Sequence, residues 1–480
     1  MPPKLRMHEL DGSPFSFAKT PNETMPITRT KQRQIPAPLT YRTFYTIIAS
    51  VMAEYRERIA DEIIKEKLSY MGAVLVRGAK WCGKTTTCEQ LAKSALYMGD
   101  PDTAPKNLEM AKVRPSLLLK GATPRLIDEW QEAPELWDAV RHSVDHGTRG
   151  MYLLTGSAVP PEADANDEQG VIRHTGTGRI ARYTMRPMSL WESGESSGEV
   201  SLKDLLAGKD PTGGASRLAL EDVAELVCRG GWPVAVDLPK RVQRGPAQEY
   251  VEAIVESDVS RVDDTLRDPE RVRRLMKSLG RLQGTQSAAS VICADMKAND
   301  GASLSDDTVY RYLAALRRIF VIEDMPAWCP NLRCKTPVRT SDTRYFTDPS
   351  VATAVLGVGP GDLMGDMPSF GLFFETLAVR DLRVYADALG ARVSHYHDKS
   401  DLECDAIVHL EDGTSGLVEV KLGGQKLIDA AADTLKALSD KLDTTRTKAP
   451  SFRMVLVADG DFAYRRKDGV IVCPIGCLRP

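Results

Sequence analysis

The chain has 480 residues, enough for roughly two to four domains, because single cores rarely grow beyond about 250 residues. Its 63 basic and 66 acidic residues nearly cancel, which excludes nucleic-acid binding through bulk charge and leaves only local patches. No apolar run reaches the length of a membrane span and the opening MPPKLRMHEL lacks the apolar core of a signal peptide, so a cytoplasmic protein with no membrane partner is expected. The nine cysteines contain no C-x-x-C, and neither Cys329 with Cys334 nor Cys473 with Cys477 has a histidine at zinc-like spacing; reduced thiols are expected.

Residues 1–40, rich in Pro, Thr, Lys and Arg with no sustained apolar period, read as an extended arm. AEYRERIADEIIKEKL then predicts an amphipathic helix with Ile59, Ile63 and Leu68 facing inward. The short apolar strand MGAVLVRG runs into GAKWCGKTT, where Gly78, Gly83, Lys84 and Thr85 fill the fixed positions of G-x-x-x-x-G-K-[ST]. Such a loop turns successive backbone N–H groups toward phosphate oxygens. Lys80, Trp81, Cys82 and Thr86 complete that cradle, Lys84 supplies charge, and the Thr85 hydroxyl reaches magnesium. TTTCEQLAKSAL predicts the following helix, with Leu91 and Leu96 on its apolar side. The bland alternative is an ordinary strand-to-helix turn.

PRLIDEWQEAP ends a strand on Asp128 and Glu129. That arrangement suits a metal carboxylate, Asp128, followed by a general base, Glu129, and implies ATP with Mg²⁺ as cofactors. The helix ELWDAVRHSVD and the strand GMYLLTGSA follow, the strand ending in Thr155, Gly156 and Ser157, whose hydroxyls could sense a γ-phosphate or simply close a turn. After the polar loop PPEADANDEQG comes HTGTGRIARYTMRPMSLWE. Arg179 and Arg182 lie just past its glycine-rich turn, where Arg179 could reach a phosphate across a subunit boundary in a homo-oligomer; the alternative is a surface ion pair.

Together GAKWCGKTTT, PRLIDEWQEAP, YLLTGSA and HTGTGRIARYTMRPMSLWE resemble the AAA-type P-loop ATPase domain of a family of bacterial ATP-binding proteins. In that family the ATPase is followed by a C-terminal region with a restriction-endonuclease-like core. The resemblance implies an α/β ATPase domain, at 41–193, and a nuclease-like domain, at 348–480; between them the Gly- and Ser-rich stretch 194–216 reads as a flexible linker and 217–347 as a helical, winged-helix-like DNA-contact region.

Within the middle region, LALEDVAELVCRGGWPVAV reads as a helix stopped at Gly230 and Gly231. QSAASVICADMKAND is a helix, Gly301 turns the chain, and Ser305 caps SDDTVYRYLAALRRIF, whose apolar stripe is Val309, Leu313, Leu316 and Phe320. FVIEDMPAW and RYFTD then supply a hairpin. Arg311, Arg317 and Arg318 on the helix, with Arg333, Lys335, Arg339 and Arg344 on the loop, stand where a duplex backbone would lie. A protein-docking role for the same fold is the alternative.

The last stretch reads as the helix GLFFETLAVRDLRVYADAL carrying Glu375, the strands RVSHYH, CDAIVHL and LVEVKL, the helix KLIDAAADTLKALSDKL and the strand FRMVLVA. That order resembles the PD-(D/E)XK nuclease core. Glu419 and Lys421 share one strand face. The resemblance implies that Glu419 joins Asp405 and Glu375 around a second divalent metal while Lys421 positions water. His395 and His397 are expected to support the cluster from outside it. The expected function is an ATP-driven motor or remodeller of duplex or branched DNA, of helicase or branch-migration type, in repair or recombination. Two alternatives stand beside it: an ATP-gated metal-dependent nuclease of a defence system, and a nucleotide-dependent switch that recruits another protein.

Overall fold

The computed structural model describes residues 55–158, 176–211, 213–261, 267–301, 304–329 and 341–480. The expected arm at 1–40, the loop PPEADANDEQG, and Arg333, Lys335 and Arg339 lie outside the described residues. Residues from Tyr55 to Pro480 belong to one compact unit.

Helix α1 (Ile59–Tyr70) opens this unit, with Ala60, Ile64 and Leu68 buried. The expected inward residues Ile59 and Ile63 are only half-buried; the apolar stripe is turned by one position so that Ile64 reaches the core. Five strands follow: β1 (Ala73–Arg77), β2 (Ser94–Tyr97), β3 (Arg125–Asp128), β4 (Tyr152–Gly156) and β5 (Ile180–Thr184). They form a parallel sheet in the order β2-β3-β4-β1-β5. Strand β1, flanked by β4 and β5, is covered on both faces, which is why its sequence is a continuous apolar run. Helices α2 (Lys84–Leu91), α3 (Ala104–Val113) and α4 (Glu135–Asp145) connect the strands. One expectation fails here. The helix predicted through Leu96 stops at Leu91, where Ala92 turns to extended backbone, and Leu96 lies on β2 beside Ile127.

The 194–216 stretch, expected to be a flexible linker, is packed instead. After α5 (Leu190–Ser193) it contributes β6 (Val200–Ser201) and α6 (Leu202–Leu206), with Val200, Leu202 and Leu205 buried. Strand β6 pairs in parallel with the chain's last strand, so glycine and serine here mark tight turns within a core.

The helical region comprises α7 (Leu220–Arg229), α8 (Pro233–Val236), α9 (Gly245–Ala253) continuing into a π-turn (Ile254–Asp258), α10 (Val259–Arg261), α11 (Pro269–Arg281), α12 (Ala289–Asp300) and α13 (Asp306–Arg318). Gly301 has φ 68° and Ser305 Oγ accepts from Thr308 N, so the turn and cap between α12 and α13 stand where the sequence puts them. Val309, Leu313 and Leu316 are buried. Strands β7 (Ile322–Met325) and β8 (Thr343–Phe346) form an antiparallel pair, followed by α14 (Pro349–Leu356) and α15 (Pro360–Gly365).

The C-terminal part is built on α16 (Met367–Ala388), whose 22 residues are buried almost all round because it lies between the helical region and a sheet. That sheet contains β9 (Arg392–His397), β10 (Glu403–His409), β11 (Ser415–Lys421), β12 (Phe452–Val457), β13 (Tyr464–Arg465) and β14 (Ile471–Pro474) in the order β13-β14-β12-β11-β10-β9. Strands β9, β10 and β11 are antiparallel neighbours; β12 joins β11 in parallel after the crossover helix α17 (Gln425–Lys441). Strand β15 (Leu478–Arg479) closes the chain against β6.

Buried charge joins these parts. Arg380 Nη1 donates to Asp348 Oδ2 at 2.8 Å and Nη2 to Asp381 Oδ1 at 2.7 Å. The same carboxylates accept Gly231 N and Leu190 N. Nearby, Arg186 donates to both oxygens of Glu323 and to Asp387. Burial works against the Glu323 charge, yet Arg186 and Arg383 hold its carboxyl down to about 2. Removing one partner from such a set leaves buried charge uncompensated. Arg380→Met is therefore expected to lower unfolding free energy by about 3–5 kcal/mol, read from urea unfolding curves; a change under about 1 kcal/mol would refute this account of the junction.

Candidate active site

The phosphate-type loop leaves the carboxyl end of β1, between its neighbours β4 and β5, the place where open α/β sheets take ligands. Gly78 has φ 152° and a Cβ there would lie 2.1 Å from Met185 O; Gly83 has φ 100°. Arg58 Nη1 donates to Cys82 O at 2.9 Å, and the buried Cys82 thiol points to Met185 O. Lys84 is only 5% exposed. Its Nζ donates to Gly78 O at 3.0 Å and Ala79 O at 2.8 Å, so its charge is met by loop carbonyls. Lys80 and Trp81 radiate outward from the loop toward the helical region, and Thr86 is exposed on the first turn of α2.

Thr85 Oγ1 donates to Asp128 Oδ1 at 2.7 Å, and Thr155 Oγ1 donates to the same oxygen at 2.6 Å. Glu129 stands in left-handed backbone at φ 53°, ψ 47°, its N–H directed to Thr155 Oγ1 at 3.3 Å. Its Oε2 accepts from Gln131 Nε2 and from Ser157 Oγ at 3.4 Å. Lys84, Thr85, Asp128 and Glu129 thus meet at one sheet end. The oxygen-only set of Thr85 and Asp128 fits a hard cation such as Mg²⁺. Arg179 does not join them in its own chain. It sits at the amino end of β5, whose first residue Ile180 pairs with Ala73 at the start of β1, and its Nε donates to Asp145 at 2.7 Å. The loop lies at the other end of β1, about 16 Å away along five residues of strand.

The second cluster lies on the C-terminal sheet. Asp405 Oδ2 accepts from Val420 N at 2.7 Å and from Lys421 Nζ at 3.0 Å, and Lys421 Nζ is 2.7 Å from Glu419 Oε2. A bulge makes this possible. Between Cys404 and Ile407 the β9–β10 register shifts, so Asp405 and Ala406 both stand against His395, and the Asp405 carboxylate takes a ladder donor of β11.

The expected three-acid metal cluster is not gathered: among the described residues no three His, Cys, Asp or Glu side chains form a metal-holding group. Glu375 nonetheless feels the charges of Asp405, Lys421 and Glu419, so the three acids share one neighbourhood without forming a ligand set. Glu375 comes from α16, and its Oε1 accepts from Tyr345 OH at 2.6 Å. The space between Asp405 and Glu419 is held by an ammonium, so this arrangement does not fit a resident divalent cation. Burial and the Asp405 charge push Glu375 and Glu419 up to about 8. Burial alone would lower Lys421, but Asp405 and Glu419 hold it above its ordinary value. His395 is buried beside Gln286, with burial pulling it down to about 4, and His397 faces Asp401 and Glu403.

Three family models match parts of the chain. Residues 71–193 match the model described as an AAA domain. This segment is similar to an AAA domain and carries the P-loop. Residues 220–362 match a domain of unknown function, DUF8612, and residues 370–478 match another, DUF4143. No curated protein sequence matches. Among solved structures, the chain is similar to the Walker-type ATPase PABY2304 of Pyrococcus abyssi, at 14% identity and TM-score 0.38, covering 63% of this chain and 97% of that one. It is also similar to the Aeropyrum pernix ORC1 protein in complex with DNA, at 12% identity and TM-score 0.23, covering 63% and 92%.

In the AAA domain, sequence reading missed Gln131, which holds the Glu129 carboxylate from two residues away. In the C-terminal part it missed Tyr345, whose hydroxyl is supplied by β8 of a different region. A carboxyl raised from 4.5 toward 8 contributes stability that is complete below about pH 4.5 and lost as pH rises through 8. Glu375→Gln keeps an acceptor for Tyr345. It should therefore stabilise the protein by on the order of 1 kcal/mol at pH 8 and leave it unchanged near pH 4. Urea unfolding in EDTA between pH 4 and 9 measures this; a profile parallel to wild type would contradict it.

Proposed function

We propose that this protein is an ATP-hydrolysing, DNA-associated remodeller that acts on duplex or branched DNA as a homo-oligomer, of helicase or branch-migration type. The observation that carries the reading is that the AAA domain shares one compact unit with a capped helix-turn-helix, α12–α13, backed by the β7–β8 hairpin. In this reading Lys84 and the loop N–H groups would hold the ATP phosphates, while Thr85 and Asp128 would hold Mg²⁺, which would neutralise charge on the transferred group. Glu129 takes the proton of the attacking water, with Gln131 and Ser157 orienting its carboxylate. Arg179 acts only across a subunit boundary, reaching a neighbour's phosphate.

The DNA side rests on fewer residues than the sequence suggested. Arg317 donates to Asp324 at 2.6 Å, and Arg344 lies 3.6 Å from the same carboxylate, so both are engaged within the hairpin. Tyr310, 57% exposed, and the exposed Arg311 remain on the outer face of α13. They supply an aromatic surface and a cation for a nucleic-acid backbone or base.

A second reading, ATP-gated cleavage, is favoured by the meeting of Asp405, Glu419 and Lys421 on the helix, three strands, helix, strand order from α16 to β12. In that reading Asp405 and Glu419 would hold a divalent cation once Lys421 Nζ had moved from between them, and Lys421 would position water. The third expectation, a nucleotide-dependent recruiting switch, would show as ATP binding without turnover.

Glu129→Gln is expected to keep ATP binding and lose turnover by about 100-fold or more. Wild-type turnover should rise with forked, junction or linear DNA, and Arg311→Ala should weaken DNA binding and flatten its salt dependence. Assaying ATPase, strand separation and Mg²⁺-dependent cleavage on one DNA panel tests all three readings. Unstimulated turnover with no salt-sensitive binding to any DNA would sink the remodeller; cleavage lost in Asp405→Ala would establish the second reading.

A further inference from the structure

The phosphate loop is held from outside its own domain. Lys80 Nζ donates to Asp258 Oδ1 at 2.6 Å, and the Trp81 ring lies 6.0 Å from the Tyr250 ring. Both partners belong to one continuous element, since α9 runs directly into the π-turn that ends at Asp258. Single π-turns inserted in α-helices occur often at functional sites. The Asp258 side chain is only 7% exposed, so its carboxylate needs a cation, and the loop supplies it. Tyr250 is itself backed by Trp232, at 4.7 Å between rings, and the Trp232 indole N–H donates to Ser350 Oγ at 2.8 Å.

Backbone conformation shows why the loop needs these anchors. Trp81 has φ 64°, left-handed backbone that a bulky side chain avoids, and it is half-exposed at 50%. Such a residue persists only where its surroundings over-determine it. Cys82 is fixed on one side of it by Arg58 and Met185. On the other side the fixed point is Lys80, and it is fixed by Asp258.

We propose that Asp258 and Tyr250 are positioning residues of the nucleotide site: by holding Lys80 and Trp81 they keep the Gly78–Gly83 loop in the shape that aims its N–H groups at phosphate. This rests on the reading of the loop as the ATP site. Neither residue touches the reacting atoms, so both act on binding and not on the chemical step. Linkage is reciprocal: nucleotide that favours the shaped loop also steadies the Tyr250–Asp258 segment of the helical region. ATP occupancy is thereby made visible to the region that carries α12 and α13.

The test uses the full chain. Asp258→Asn should raise KM for ATP and Kd for Mg-ADP by about tenfold, the scale of a hydrogen bond to a charged group, while kcat stays within about twofold. Asp258→Glu should restore most of the affinity. Lys80→Met should match Asp258→Asn, and Lys80→Met/Asp258→Asn, which leaves no unpaired charge, should lose no more than either alone. Mg-ADP should slow amide exchange across 250–258 in the wild type and much less in Lys80→Met. Should Asp258→Asn fail to fold, the double variant and the exchange measurement carry the test. Wild-type affinity in the double variant with unchanged exchange would overturn the inference. Wild-type protein that binds no Mg-ADP would instead overturn the ATP-site reading itself.

Discussion

Arg380 brings one positive charge into a space walled by Asp348 and Asp381, and the rest of the chain is arranged around satisfying it. The two carboxylates use their remaining lone pairs on N–H groups: Gly231 just past α7 and Leu190 after the parallel sheet come from distant segments, while Ser350 N–H is capped by Asp348 at the start of α14. A buried pair of this kind contributes little net stability, because desolvation offsets attraction. Its effect is on arrangement. In the arrangement seen, every one of those groups has a partner. Arg186, held by Glu323 of β7 and Asp387 of α16, repeats the logic a short distance away.

That constraint explains why domain boundaries were harder to read than domains. A Gly- and Ser-rich stretch between 194 and 216 looks like a linker when judged by composition, but its valine and leucines, Val200, Leu202, Leu205 and Leu206, are buried, and β6 waits for β15 some 280 residues later to become a strand. Pairing at that separation leaves no local signature. The same holds for Leu96. Its neighbours permit a helix, and only β3 lying alongside makes the segment a strand. By contrast, the meander from β9 to β11 and the α12–α13 turn are local in sequence, carried by period-two alternation and by a glycine and a cap, and they stand where the residues put them.

At the nucleotide site, Lys84, Thr85, Asp128 and Glu129 were legible because each sits at a strand end or helix start that its own motif creates. Asp258 and Gln131 were not, since nothing in their immediate sequence differs from an ordinary acidic or amide side chain. Asp405, Glu419 and Lys421 do meet, and Glu375 of α16 feels their charges, but Lys421 stands between the two strand carboxylates, and the bulge that turns Asp405 toward β11 cannot be seen in the string CDAIVHL.

The two lysine-centred sites differ in how their charge is balanced, and that orders the functional readings. Lys84 is turned to the carbonyls of Gly78 and Ala79, which are dipoles and not anions. An incoming phosphate replaces weak partners with a charge-assisted contact, so anion binding gains free energy. Lys421 already lies between two carboxylates. There a phosphate meets acids first, and a cation must displace an ammonium that is well placed. The first site is poised for a nucleotide in the state described; the second is internally neutralised and must rearrange before it can act on a nucleic-acid backbone. ATP turnover is thus the primary activity in this reading, and any cleavage waits on a movement of Lys421, on a sheet packed against α16, whose Asp381 accepts Leu190 N of the AAA domain.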